Sequence, residues 1–411
     1  MTASVDENLT PWYRAATPVQ WRTLFAAQLG WMLDGMDVML YAFALTTIQK
    51  EFNITSAYAG LLASVPLLTA SVGGITAGYL ADRYGRTRVL IYSILIYSIF
   101  TGLTATAQSL WALAFWRALV GLGLGAEWSA GTVLVSETWP AEHRGKAIGF
   151  VQSGWAIGYI LAAVLAAAII PLYGWRVLFL IGTLPALLTF WIRHGVPEPK
   201  IWRDAPKRQS LRVLLEPPYL RRILIATPIC TSLLFAYWGL FTWIPAYLSS
   251  PIAKGGAGLG IVRSSAWIVP VQIGAFIGYN IFGFFSDRIG RRPMFLIFVL
   301  GAAVVVPIYG LAASHLWLLM AMGPLIGCFG HGYYTLFGSM LSELFPSGVR
   351  AAAQGFCYNS GRAVSALAPF TIGAIADSYG IGAALTFTAA FFALGGAMIF
   401  LLPETKGMQL E

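Results

Sequence analysis

The chain has 411 residues and a formal net charge of +9, with 58 % hydrophobic and only 10 % charged residues. A soluble domain carries about 25 % charged residues, so this composition excludes an ordinary soluble protein and predicts that most of the chain lies in lipid. A strong positive charge alone would suit a nucleic-acid-binding protein, but the placement of the basic residues argues against a nucleic-acid partner.

Long apolar stretches alternate with short polar connections along the chain. Residues 1–20 are polar and mixed in charge, which predicts no cleavable leader. Cys230, Cys328 and Cys357 lie in apolar stretches and are expected to pack there without a disulfide. About 20 apolar residues cross a bilayer, and we predict spans near 22–47, 57–80, 89–109, 111–136, 146–171, 176–193, 222–248, 262–285, 293–312, 316–342, 352–373 and 380–402.

The chain repeats itself at about half its length. The segment Gly78–Arg88 recurs as Gly283–Pro293, an offset of 283 − 78 = 205 residues, and Glu137–Arg144 recurs as Glu343–Arg350 at 206. A duplication of charged loops between apolar segments is typical of a two-halved membrane carrier. We therefore predict two related halves, at residues 1–193 and 222–411, joined by a cytoplasmic linker at 194–221.

The basic residues predict the orientation of the spans. If both termini face the cytoplasm, 20 of the 26 Lys and Arg residues lie in cytoplasmic segments, whereas Lys50, Arg176, Lys254 and Arg263 face the opposite side. Such a bias sets the orientation of membrane proteins, so both termini are predicted to be cytoplasmic, in a protein of the inner (plasma) membrane. The same charge attracts anionic membrane lipid.

A few ionisable residues remain at membrane depth. Each charge near the bilayer centre costs about 2.5–3.5 kcal/mol on insertion scales, so such residues usually face a cavity and each other. We expect these residues to line a shared cleft between helices: Asp34, Asp37, Arg117, Glu127, His331 and Arg362.

The first span carries two of these carboxylates. Asp34, Asp37 and Tyr41 share one helix face by their i, i+3, i+7 spacing. A carboxylate sheltered beside an arginine can exchange a proton, and Arg117, at matching depth on the fourth span, is the expected partner of Asp37. The alternative is a static ion pair that only fixes helix packing. Glu127 lies ten residues nearer the cytoplasm, where it either pairs with a loop arginine or faces the cleft.

The second half carries the candidate anion site. Arg362 is permanently charged and its guanidinium group matches a carboxylate, which predicts a bound organic anion; the alternative is a pair with Asp34. His331, between two glycines, either lines the cleft as a proton relay or is a hydrogen-bonded core residue. Other candidate binding residues, for each of which ordinary packing is the alternative, are Tyr41, Gln152, Trp155, Tyr237, Gln272, Asn280, Tyr334, Tyr358 and Asn359.

The repeated loops predict a gate. Carboxylates at helix ends beside guanidinium groups can join two helices by charge-assisted hydrogen bonds. A solvated basic loop would not need the repeated acidic residues. We expect the following residues to bridge the halves when the inner side is closed: Asp82, Arg86, Glu137, Arg144, Asp287, Arg291, Glu343 and Arg350.

These motifs resemble the major facilitator superfamily. The resemblance covers the paired G-x-x-x-D-R-x-G-R loops, the glycine run after Arg117 and the Pro-Glu endings at 197–198 and 403–404. It implies an all-α membrane protein with 12 transmembrane helices in two pseudo-symmetric six-helix bundles, and a proton-coupling Asp37–Arg117 pair as in its sugar porters. The segments 34–37, 125–128 and 358–362 resemble its organic-acid:proton symporters, which include sialate, lactate and aromatic-acid carriers.

The resemblance implies a transporter that works as a functional monomer, not an enzyme. We expect symport of protons with a small organic anion, such as lactate or another monocarboxylate. The alternatives are a proton-coupled carrier of sugars or other neutral solutes, and a non-transporting receptor on a carrier fold. Because the sequence contains no metal-ligand cluster, nucleophile–base motif or phosphate loop, no metal or cofactor is expected.

Overall fold

The fold is built from helices connected by short loops. A computed structural model describes residues 16–54, 56–204, 211–249 and 251–410, and no β-strand occurs among them. Gly174, with a φ of 76°, interrupts the fifth helix between the fifth and sixth predicted spans. The N-terminal helices are α1 (Pro18–Phe52), α2 (Ser56–Tyr84), α3 (Arg86–Thr104), α4 (Leu110–Thr138), α5 (Arg144–Ile181) and α6 (Leu188–Gly195).

The second half of the chain contains shorter helical segments, because several of its spans are interrupted. Breaks fall at 242–243, at Tyr333 and at 366–367. The helix α7 (Lys200–Asp204) lies in the predicted linker. The C-terminal helices are α8 (Tyr219–Phe241), α9 (Ile244–Ser249), α10 (Gly260–Ile289), α11 (Arg291–Leu311), α12 (Leu316–Gly332), α13 (Tyr334–Glu343), α14 (Arg350–Ser365), α15 (Ala368–Tyr379) and α16 (Ile381–Met398).

Ten described helical segments are long and apolar enough to cross a membrane. They correspond to the second to tenth and the twelfth predicted spans. The first span matches α1, which carries Asp34 and Asp37 in its middle, and the eleventh matches α14 and α15, which are separated by the break at 366–367. The predicted all-helical membrane fold is confirmed, although the first and eleventh predicted spans are not among these ten segments.

Two helix pairs make the most extensive contacts between the N-terminal and the C-terminal helices. Helix α2 packs on α14, and α5 packs on α10. Both contacts are backbone to backbone: a Cβ on Gly78 would lie 2.4 Å from the carbonyl oxygen of Ala351, and one on Gly283 would lie 2.4 Å from that of Gly145. Because no side chain fits there, glycine allows this close approach.

Candidate functional site

Asp37 and Arg117 form a buried ion pair between α1 and α4. Their Oδ2 and Nη1 atoms lie 3.6 Å apart, and the hydroxyl of Thr101 on α3 donates to Asp37 Oδ1 at 2.5 Å. The guanidinium carbon of Arg117 lies 4.9 Å from the ring centre of Tyr41, a cation–π distance. The sequence predicted this partnership between the two spans, and it did not single out Thr101.

Asp34 and Glu127 are two further buried carboxylates, and they lack hydrogen-bond partners. Both are at most 1 % exposed, and none of their four carboxylate oxygens has a partner in the described part of the chain. They are close enough to interact electrostatically. Glu127 packs against Gly30. A Cβ atom added to Gly30 would lie 2.2 Å from Glu127 Oε1. Among the described residues, Glu127 has no ion pair with a loop arginine.

Arg362 lies on α14, and part of its guanidinium group has no hydrogen-bond partner among the described residues. It is 2 % exposed, and its Nε and Nη1 have no partner among the described residues. It interacts electrostatically with Asp34, but no ion pair within 4.0 Å joins them in the described structure. Its guanidinium carbon lies 5.9 Å from the ring centre of Tyr358, which stacks on Trp128 at 3.7 Å. Trp128 was not among the predicted binding residues, although it follows Glu127 directly.

A second cluster gathers around His331. Its Nε2 lies 3.3 Å from the hydroxyl of Tyr237, and its Nδ1 lies 3.0 Å from the carbonyl oxygen of Gly327. The ring of Tyr334 lies 4.9 Å from that of Tyr237, and Gln152 donates to the carbonyl oxygen of Tyr334 at 3.3 Å. Residues from α5, α8, α12 and α13 therefore meet here. Both nitrogens of His331 are engaged, as in the hydrogen-bonded alternative.

The remaining predicted binding residues are more scattered. Trp155 packs on Gly35 and contacts Trp31, with ring centres 5.0 Å apart. Gln272 is 4 % exposed, and its Oε1 has no partner among the described residues. Two asparagines donate to carbonyl oxygens of their own helices, Asn280 to residue 276 at 2.8 Å and Asn359 to residue 355 at 2.9 Å. Asn359 also fills the α2–α14 contact at Gly74, so these bonds give both asparagines a packing role.

Two ion pairs cross between the repeats at one end of the molecule. Arg144 Nη1 lies 2.8 Å from Glu343 Oε1, and Arg350 contacts Glu137 in the same way. We call these the crossed ion pairs. Each glutamate also binds an arginine of its own repeat: Arg86 to Glu137 at 2.9 Å and Arg291 to Glu343 at 2.9 Å. All six side chains are at most 2 % exposed.

Asp82 and Asp287 bind the starts of helices in the opposite repeat. Asp82 accepts hydrogen bonds from the backbone N–H groups of residues 351 and 352, at 3.1 and 2.7 Å, in the first turn of α14. Asp287 accepts from those of residues 145 and 146, both at 2.9 Å, in the first turn of α5. A carboxylate there satisfies free N–H groups and complements the helix dipole. Each also pairs with an arginine four residues further along its own repeat.

The Pro-Glu endings cap two helices. Glu198 accepts from the backbone N–H groups of Thr87 and Arg88 at the start of α3, and Glu404 accepts from those of Arg291 and Arg292 at the start of α11. Burial raises the pKa of Glu198, although these N–H groups oppose it. For Glu404 the burial effect is outweighed by its N–H donors, and its pKa is lowered. The sequence predicted the repeat of these endings but not this capping role.

Comparison with known proteins identifies the family. The model described as Major Facilitator Superfamily matches residues 29–278, and that described as Sugar (and other) transporter matches residues 258–411. The chain belongs to the major facilitator superfamily. It is therefore a multi-pass membrane transporter, as the paired loops predicted.

Relatives of this superfamily member match it over nearly its whole length. It is 34 % identical to the "Probable 4-methylmuconolactone transporter" of Cupriavidus pinatubonensis, covering 97 % of this chain and 94 % of that protein. It is 33 % identical to the cis,cis-muconate transport protein of Acinetobacter baylyi, covering 94 % and 95 %, and 32 % identical to a sialic acid transporter of Escherichia coli, covering 94 % and 95 %.

A solved structure of the same superfamily has the same fold. The proton:xylose symporter XylE superposes with a TM-score of 0.79 at 18 % identity, covering 95 % of this chain and 98 % of that one. At this identity the likeness concerns the fold alone. It agrees with the described helix packing and says nothing about the substrate of this transporter.

Proposed function

We propose that this transporter carries a small organic anion together with protons by alternating access. The observation that carries the proposal is Arg362, a buried guanidinium group whose Nε and Nη1 have no partner among the described residues. A buried cation needs a counter-charge, and a substrate carboxylate would supply one with matching geometry. Muconate and sialic acid, named for two relatives, are both carboxylic acids.

The proton sites in this proposal are the carboxylates of α1 and α4. The buried charges comprise Asp34, Asp37 and Glu127 against Arg117 and Arg362. Asp37 is compensated by Arg117. Once a monovalent anion occupies Arg362, four negative charges face two arginines, so two protons shared among Asp34, Asp37 and Glu127 would make the loaded site neutral enough to cross. Loss of those protons would favour release of the anion, because a ligand shifts only the state that it binds better.

The gating residues support a carrier that rocks between two states. The crossed ion pairs and the caps of α5 and α14 hold the repeats together at one end. In the proposal this is the cytoplasmic end, both termini lie on that side of the inner (plasma) membrane, and breaking these contacts opens the cleft inward. Anion and protons entering from the opposite side would be released there.

The aromatic residues near Arg362 favour a particular class of anion. Tyr358 and Trp128 stack on each other beside the guanidinium group. The second aromatic cluster, on α8, α12 and α13, consists of Tyr237, His331 and Tyr334. Such surfaces suit a flat, partly apolar carboxylate. Among monocarboxylates we therefore favour an unsaturated or aromatic acid over lactate.

The test is uptake into liposomes that contain the purified protein. With an inward proton gradient, we expect accumulation of labelled benzoate, its loss on addition of a protonophore, and no accumulation of xylose. Arg362→Ala should abolish acid uptake, whereas Arg176→Ala, which removes an exposed arginine, should not. Accumulation of xylose without acids would favour the sugar carrier, and no uptake of any solute would favour the receptor.

A further inference from the structure

A basic cavity lies at the crossed-pair end, away from the buried carboxylates. Its volume is about 350 Å³. It is enclosed by the start of α8, the start of α11 and the segment that follows α16. Its described lining residues include no acidic residue, and they are Pro218, Arg221, Arg222, Ile225, Arg292, Leu401, Leu402 and Pro403.

Hydrogen bonds to backbone carbonyl groups hold two arginines of this cavity in place, and one of their N–H groups has no partner among the described residues. Arg222 donates from Nη1 to the carbonyl oxygen of Leu344 at 2.5 Å, and Arg292 donates from Nη2 to that of Phe400 at 2.5 Å. The Nε of Arg292 is buried and has no partner among the described residues. Arg221 is exposed at the rim. Three like charges around one cavity repel each other, so a bound anion would stabilise the arrangement.

The duplication does not account for all three of these arginines. At the loop offset of 205, their counterparts are Ala16 (221 − 205), Thr17 (222 − 205) and Thr87 (292 − 205). Counted from Pro18 and Pro218 at the helix starts instead, Arg22 corresponds to Arg222 (222 − 200), so the first repeat lacks counterparts of Arg221 and Arg292 only. Neither crossed ion pair includes them.

The apolar part of the cavity lies where spans leave the membrane. Ile225 is in the second turn of α8, and Leu401, which is 57 % exposed, follows α16. We propose that this cavity binds the phosphate group of an anionic phospholipid, whose acyl chains run along these aliphatic residues. Guanidinium groups bind phosphate through bidentate hydrogen bonds, and basic pockets beside membrane helices suit anionic headgroups. This proposal does not depend on which solute the transporter carries.

The experiment is native mass spectrometry of the full chain, released from detergent after addition of phosphatidylglycerol, phosphatidylcholine or inorganic phosphate. We expect a retained phosphatidylglycerol adduct and a much weaker phosphatidylcholine one. The double variant Arg221→Gln/Arg292→Gln should bind phosphatidylglycerol about tenfold or more weakly, since each surface arginine contributes about a fivefold factor. The control Arg83→Gln/Arg88→Gln removes the same charge from exposed arginines of the first repeat and should bind like the wild type.

Three results would overturn the proposal. They are equal loss of phosphatidylglycerol in both double variants, equal binding of both lipids by the wild type, and displacement of phosphatidylglycerol by millimolar inorganic phosphate, which would assign the cavity to free phosphate. If the double variant unfolds in lipid-free detergent, Arg221→Gln alone replaces it, because an exposed side chain at the rim is not needed for folding. Unchanged lipid binding by that single variant would equally contradict the proposal.

Discussion

Arg144 and Glu343 lie 199 residues apart in sequence, yet their Nη1 and Oε1 atoms are 2.8 Å apart and both side chains are buried. The equivalent arginine and glutamate, Arg350 and Glu137, pair in the reverse direction. Each repeat thus supplies the cation for the other repeat's carboxylate. Because the two repeats are related by duplication, the two crossed ion pairs are equivalent, and together they close one end of the transporter.

Arg144→Gln should favour opening at this end. Because Arg291 still neutralises Glu343, the variant loses a charge-assisted hydrogen bond of about 1.5–3 kcal/mol, which can raise the population of the open state about tenfold or more. Spin labels at positions 83 and 288, exposed in the last turns of α2 and α10, would report longer distances. Arg176→Gln, which removes the exposed pair with Glu51, is the control and should leave the distances unchanged. Identical distance distributions for wild type and Arg144→Gln would rule out the gate.

Replacement by glutamine should affect the stability of the protein differently at two glutamates of α4. Glu127→Gln should leave stability unchanged or raise it, because both oxygens lack partners in the described structure and glutamine is neutral. Glu137→Gln should lower the free energy of unfolding by about 3–5 kcal/mol, because it removes a charge shared by Arg86 and Arg350. Denaturant titration in detergent measures both. Equal destabilisation would mean that Glu127 has an ionic partner after all.

Asp37→Asn should separate transport from proton coupling. The neutral amide can still receive the hydroxyl of Thr101 and pack beside Arg117, so exchange of labelled acid at equal concentrations should continue. Accumulation driven by a proton gradient should disappear, because the site no longer gains and loses a proton. Asp204→Asn, an exposed residue of α7, is the control. Proton-driven accumulation that survives in Asp37→Asn would place the coupling elsewhere.

Gly78→Ala should prevent the repeats from closing. The added methyl group would lie 2.4 Å from the carbonyl oxygen of Ala351, a backbone atom that cannot move aside without shifting α14. We expect transport to fall at least tenfold while the protein remains folded. At Gly131 on α4 the nearest atom to an added Cβ is 3.6 Å away, so Gly131→Ala should transport normally. Similar activity of the two variants would show that the α2–α14 contact is dispensable.

Much of the architecture could be predicted from the sequence, because its signals are local. Span length follows from hydrophobic runs, and the duplication follows from an offset between loops. The sparse charges at membrane depth identified Asp37 and Arg117 as partners, since matching depth on two spans constrains where side chains can meet. The cap that Asp82 provides for α14 was not foreseen, because it depends on a backbone N–H group 269 residues away.

The sequence by itself determined that this is a duplicated helical membrane protein with a few buried charges, because hydropathy and repetition are properties of the chain. Only the tertiary structure decided which charges have partners. It left Asp34, Glu127 and Arg362 buried with atoms that have no partner among the described residues, and it crossed the glutamate–arginine pairs between repeats. The physical reason is that an ion pair depends on a few ångströms between helices far apart in sequence, and packing sets that distance.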